Sequence, residues 1–164
     1  MVIYMKKGLV NAKELACYIT DYYMVKFSKK ISPIKLQKSL YFCFAYWGGF
    51  VRKSKLNEAE ITINKSDWLF DEDIEAWVYG PVVPDVYRDN NLMNSKNDNL
   101  FDGLDDVKDF LNGVLDEILN VSDFKLVEVA HSDNCWIKNY HPDDLMHNKV
   151  IDKEDIISEY AKIY

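Results

Sequence analysis

Residues 32–49, SPIKLQKSLYFCFAYWGG, read as one helix whose surroundings decide the fold. Ser32 is an N-cap residue, and Pro33 suits the first turn, where no N–H is needed. Leu36, Leu40, Phe44 and Trp47 fall on one stripe at helical spacing. Phe42, Cys43 and Tyr46 widen the apolar surface beyond that stripe, so the helix is expected to be central and nearly surrounded. Gly48-Gly49 is the expected stop. The apolar run Leu40 to Val51 is too short to cross a membrane.

Toward the N-terminus, Asn11 and Glu14 make a capping-box start for a helix over 12–27. Leu15, Ala16, Ile19, Tyr22 and Tyr23 share one of its faces, and Lys26, Lys29 and Lys30 suit its negative pole. Toward the C-terminus, 52–67 reads as a polar connection. Trp68, Leu69 and Phe70 then read as one short strand, and Ile74, Ala76 and Val78 as its partner across an acidic turn. The stretch 75–87, EAWVYGPVVPDVY, packs Trp77, Tyr79, Gly80, Pro81, Pro84 and Tyr87 into a corner. A strand interior rejects prolines for want of a donor, and a helix interior rejects them too. Pro84 opens a short helix over 85–88. Asparagine-rich 90–99 is a loop, and Asp102 caps a helix carrying Leu104, Val107, Leu111, Val114, Leu115 and Ile118. Ser122 caps another with Phe124, Leu126, Val127 and Ala130; 134–148 is irregular; Asp152 caps the last, with Ile156, Tyr160 and Ile163 on one side. The expected fold is mainly α: a single compact helical domain over 1–164 with a small β-hairpin.

The 164 residues are 48 % hydrophobic, a globular composition, and the 14 % aromatic share implies a ring-packed core or a sticky surface. The N-terminus lacks the order of a signal peptide, and Cys17, Cys43 and Cys135 form no close pair, so reduced thiols in a cytoplasm are expected. Charge is uneven: residues 1–56 carry eleven Lys and Arg against Glu14 and Asp21, +9, while 57–164 carry nine against twenty-five acids, −16. Either the two parts pack together and neutralise each other, or they offer faces of opposite sign to different partners. An acidic chain is a poor nucleic-acid binder, and no membrane partner is expected.

No catalytic constellation emerges. His131, Cys135, His141 and His147 lack the close ligand pairs of structural zinc, so no metal is expected. Cys43 sits in the most apolar helix, where a thiol is inert, which argues against a Cys43–His131 nucleophile pair. Asp71, Glu72, Asp73 and Glu75 read as a solvated turn, and the six glycines form no phosphate loop. The chain is therefore expected to be no enzyme and to need no cofactor. The aromatic corner is either a plug on the central helix or a binding platform.

Three pieces of the chain resemble a known family. Ser32 to Tyr41, SPIKLQKSLY, resembles the "tpLKLQKLLY" signature of the Panacea antitoxin domain. Leu69 to Tyr87 resembles its "lF-e-ieAW-yGPVvp-vY" signature. Leu126 to His131 with Trp136 resembles "eLs-lTH---pW", and Asn148, Val150 and Ile151 resemble the "n--I" before its last helix. Ala130 stands where the family usually has Thr, and Cys135 where it usually has Pro. The family includes SocA-like proteins and phage-associated GepA-type proteins. The resemblance implies a mainly helical, non-enzymatic, cytoplasmic protein that neutralises a cognate toxin by binding it or by handing it to a ClpXP-type protease. The alternative is a phage or mobile-element adaptor or inhibitor of a host protein without a toxin. The expected partner contacts are Trp77, Tyr79, Gly80, Pro81 and Tyr87. Asp71, Glu72 and Asp73 would steer a basic toxin, and Lys35 and Lys38 would join the contact or brace those acids.

Overall fold

The computed structural model describes residues 7–56, 65–143 and 148–164. The elements run α1 (Ala12–Phe27), α2 (Pro33–Leu56), β1 (Glu75–Trp77), β2 (Gly80–Val82), α3 (Pro84–Tyr87), a 3-10 turn (Leu92–Ser95), α4 (Asp105–Ile118), α5 (Asp123–His131), α6 (Asn134–Asn139) and α7 (Lys153–Ala161). The fold is mainly α with one small antiparallel sheet.

Helix α2 is the axis. Leu40, Tyr41, Cys43, Phe44, Ala45, Trp47 and Val51 are all buried, and α1, α4, α5 and α7 pack around them. Four of the helix starts carry the caps read from sequence. Asn11 accepts from the Lys13 and Glu14 amides, and the Ser32 hydroxyl accepts from Lys35 N. Ser122 and Asp152 cap α5 and α7. Asp102 does not cap α4: that helix starts at Asp105 after Leu104, with no side-chain cap. The span 134–148 is not wholly irregular, since α6 occupies its first part; part of the 52–67 connection and His147 lie outside the described residues.

Gly48 and Gly49 do not end α2, which continues to Leu56. They let α7 approach instead. A Cβ on Gly49 would lie 2.6 Å from the backbone carbon of Tyr160, and one on Gly48 2.6 Å from Ile157 Cγ1. Hydrogen bonds inside a helix satisfy glycine as they do any residue, so close packing, not a stop signal, explains this pair.

The hairpin also differs from its sequence reading. Trp68 to Phe70 are not a strand; the Trp68 and Leu69 carbonyls accept from the Leu9 and Val10 amides. The partner of β1 is β2, pairing Glu75 with Val82, Ala76 with Pro81 and Trp77 with Gly80. Pro81 is tolerated in β2 because Ala76 N–H points away from it, to the Lys149 carbonyl, so this rung asks no donor of proline.

The basic N-terminal third meets the acidic remainder. Lys13 pairs with Asp89, Lys26 with Asp116, and Arg52 with both Asp67 and Glu154. These pairs decide for mutual neutralisation along those edges, although exposed pairs add little stability.

Ser39, buried in α2, is the buried side-chain polar atom without a hydrogen-bond partner among the described residues. Ser39→Ala removes that unsatisfied hydroxyl and raises helix propensity, so it is expected to stabilise the fold by about 1 kcal/mol. A urea midpoint below that of the parent would contradict this.

Candidate functional site

The hairpin corner is built from far-separated parts of the chain. Its turn, Val78-Tyr79, projects outward, with both side chains more than half exposed. Gly80 closes the turn at φ +103°, a conformation that disfavours any side chain. Space agrees with this, because a Cβ there would meet Lys38 Cε at 3.0 Å and Ala130 Cβ at 3.3 Å.

Three backbone carbonyls of the hairpin each receive a side-chain donor. Trp136 Nε1 donates to the Trp77 carbonyl at 2.8 Å. His131 Nε2 lies 2.9 Å from the Val78 carbonyl, which fixes the proton on that nitrogen. Lys38 Nζ donates to the Pro81 carbonyl at 2.8 Å. Just beyond β2, Gln37 bridges Val83: its Oε1 accepts from Val83 N at 2.8 Å and its Nε2 donates to Val83 O. On the other edge, Lys149 and Ile151 hydrogen-bond to Ala76 and Ile74. The holders are themselves held, as His131 stacks on Trp136 with centroids 4.2 Å apart and Trp136 stacks on Tyr140.

Lys38 is the least expected member. It is 1 % exposed, and among the described residues it has no carboxylate partner. Burial pulls its amine from the usual 10.5 down to about 7. A neutral amine still donates, so the bond to Pro81 does not need the charge.

Outside this frame stands a ring cluster. Trp77 and Tyr87 meet edge to face at 4.9 Å, and the Arg88 guanidinium lies over the Trp77 ring at 5.7 Å. Trp77 is half-buried, its Nε1 donating to Glu75 Oε1, while Tyr79 and Tyr87 are exposed. Of the expected contact residues, the structure therefore brings Trp77, Tyr79 and Tyr87 to one accessible corner. Gly80 and Pro81 are buried and shape it from within. Sequence left open whether the rings plug or present; they divide, with the backbone docked on α2 and the ring edges turned outward.

The expected roles of the charged residues change. Asp71 accepts from the Lys7 and Gly8 amides, and Glu72 accepts from Ala12 N at the start of α1, where the helix dipole favours an anion. Asp73 faces Lys153 at 3.9 Å. Asp71 and Glu72 thus fasten the N-terminal segment, while Asp73 stands exposed beside α7. Lys35 and Lys38 do not brace them: Lys35 donates to the Leu119 carbonyl and faces Asp123. Both lysines are buried, so neither lies on the accessible surface.

Sequence reasoning also missed Gln37, His131 and Trp136 as holders of the hairpin. Gln37 and Lys38 sit just before the apolar run of α2, and nothing in their spacing marks them as holders. A second buried network escaped it: Tyr41 and Tyr160 hydroxyls both donate to Asp133 Oδ2, and desolvation raises that carboxyl above its ordinary value. Among the described residues, no three His, Cys, Asp or Glu side chains stand together as metal ligands. Cys43 is buried, and burial raises its thiol well above the ordinary range. No described helix is long and apolar enough to cross a membrane.

Comparison with curated proteins and with solved structures finds no match. A family model described as "Antitoxin SocA-like, Panacea domain" matches residues 56–137, half of the chain, including the hairpin, α3 and the His131–Trp136 support. The chain belongs to the SocA-like, Panacea-domain antitoxin family.

Proposed function

We propose that this chain is an antitoxin-type binding protein, which neutralises a cognate toxin by direct binding or by delivering it to a ClpXP-type protease. The observation that carries the reading is the hairpin corner: exposed Tyr79 and Tyr87 on a backbone fixed by Lys38, Gln37, His131 and Trp136. Rigid rings of this kind concentrate binding energy at interfaces, and a pre-formed support lowers the entropy lost on binding. Both edges of the hairpin are occupied, by Lys149 to Ile151 on one side and by Gln37 and Lys38 on the other. Strand addition is therefore disfavoured, and the toxin is met through side chains.

Action by binding rather than catalysis fits the fate of the candidate groups. Cys135 is a buried thiol pushed up to about 12, His131 is committed to a backbone carbonyl, and Asp71 and Glu72 accept from backbone amides of the N-terminal segment. A cytoplasmic location is part of the proposal.

The test is co-expression. The adjacent open reading frame is induced in a sensitive host with and without this chain, and growth and co-purification are followed. Arrest relieved by the chain, with a stable complex, is the expected result. A neighbour that is harmless, or toxic without relief, sinks the antitoxin reading and favours a phage or mobile-element adaptor. Tyr79→Ala is expected to change fold stability by no more than about 0.5 kcal/mol, because its ring is exposed, and Tyr87→Ala by about 1 kcal/mol, because it also loses the edge-to-face contact with Trp77. At least one is expected to weaken the complex by roughly 30-fold, the effect of losing about 2 kcal/mol at a hot spot. Unchanged affinity in both would remove the rings from the interface.

A further inference from the structure

Tyr87 has a second face. Beyond the ring cluster it walls a groove of about 790 Å3 that runs between the start of α2, α3 and the 3-10 turn. Pro33, Leu36 and Met93 give the groove an apolar floor and rim, and Pro33, Tyr87 and Met93 are exposed along it. Its uncharged polar lining is Thr20, Gln37 and three asparagines. Asn90, Asn91 and Asn94 line it, and their side-chain amides make no hydrogen bond among the described residues. A primary amide offers a donor and an acceptor together, which matches a peptide group.

The charges differ in availability. Two charged residues line the groove, Lys30 and Asp89. Asp89 is engaged by Lys13 at 3.2 Å and by Asn91 N, which hold its carboxyl below the usual range. Lys30 is exposed and has no ion pair among the described residues. Arg88, next to Tyr87, likewise meets a ring and no carboxylate. In a chain of net charge −7, the charge left available in the groove lining is thus the positive one of Lys30.

We infer that the groove is a docking site for a peptide segment of a protein partner, with apolar side chains against Leu36, Tyr87 and Met93 and a flanking carboxylate at Lys30. The unbonded asparagine amides favour a peptide main chain over a purely apolar ligand, and the free Lys30 ammonium favours an acidic flank over a basic one. The inference deepens the antitoxin reading and rests on it only in that the partner is a protein. It gives the partner a short acidic-apolar segment, the opposite of the basic partner expected from the 71–73 acids.

A phage-displayed library of random 12-residue peptides, panned against the full chain, tests it without knowledge of the toxin. Enriched peptides are expected to combine two or more apolar residues with Asp or Glu. Synthetic copies are expected to bind Lys30→Glu about tenfold more weakly at low salt, with the gap closing as salt rises. Met93→Asp is expected to abolish binding, and Tyr79→Ala to leave it unchanged. Both groove positions are exposed, so thermal melts are expected to match the parent. Failure to enrich any peptide, enrichment of peptides without acids, or binding indifferent to both groove variants would each overturn the groove. Growth rescue is read separately. Rescue without groove binding leaves the antitoxin reading standing alone, and groove binding without rescue removes that reading and keeps the site.

Discussion

Gly49→Ala melts below the parent protein and Gly113→Ala melts above it, although both replace a helical glycine. In each case alanine gains up to about 1 kcal/mol of helix propensity. At Gly113, on α4, nothing lies within 4 Å of the added carbon, so the gain is kept. At Gly49 the same carbon would sit 2.6 Å from Tyr160 C and 2.8 Å from Ala161 N. Those are backbone atoms and cannot rotate aside, so α7 must shift off α2. Overpacking of this kind costs roughly 1–3 kcal/mol and occasionally more, and a rigid neighbour places it at the upper end. A net loss of about 2 kcal/mol lowers the melting temperature by roughly 4–8 °C in a chain of this length. Two variants with equal melting temperatures would show that α7 does not lean on this glycine.

The second large effect depends on pH. Lys38 holds its proton with a pKa of about 7 when folded, against 10.5 as its ordinary value. Between those values the unfolded chain binds nearly one more proton than the folded one, so raising the pH favours the fold. From pH 7 to pH 9 the gain is roughly 2–3 kcal/mol, at 1.36 kcal/mol per unit of pKa difference. Lys38→Met cannot titrate and lacks this gain. Near pH 7 its stability is expected to lie within about 2 kcal/mol of the parent, because losing the buried amine offsets an unpaired Pro81 carbonyl. By pH 9 the variant falls behind by the further 2–3 kcal/mol. Cys43, Cys135 and Tyr160, all raised by burial, lose stability as the pH climbs past the values they have when unfolded. They are common to both proteins, as is Lys153, whose pKa burial lowers. The difference between parent and variant therefore isolates Lys38. Urea melts at pH 7, 8 and 9 give it directly, and a constant difference across that range would mean the amine stays charged in the fold.

What could be read from sequence was local. The bounds of α1 and the caps Asn11, Ser32, Ser122 and Asp152 depend on residues three or four apart, and the structure has them as read. Pro84 opens α3 for the same reason. Apart from the start of α4 and the short α6, the misreadings turn on contacts between distant segments. Gly48-Gly49 looks like a stop until α7 is placed against it. The 71–73 acids look solvated until the start of α1 arrives at Glu72. The partner of β1 lies after it rather than before, because Ala76 gives its N–H to Lys149, a residue no periodicity connects to it. At the site, composition marked Trp77, Tyr79 and Tyr87. The donors that position them, Lys38, His131 and Trp136, were legible only as family signature letters, since a hydrogen bond to a backbone carbonyl leaves no pattern in the sequence that receives it.

The hairpin's moorings also set the order of events at the ribosome. Six residues of paired strand have little stability alone. Their ties reach back to Gln37 and Lys38 and forward through His131 and Trp136 to Lys149 and Ile151. Such distant closures come late in folding, because the loop entropy is lost before the contacts repay it. A nascent chain that has emerged only as far as α4 has the rings but not the shape that presents them. The corner is expected to take its full form only when Lys149 and Ile151 are in reach, so an unfinished chain carries the rings without the mooring that orients them.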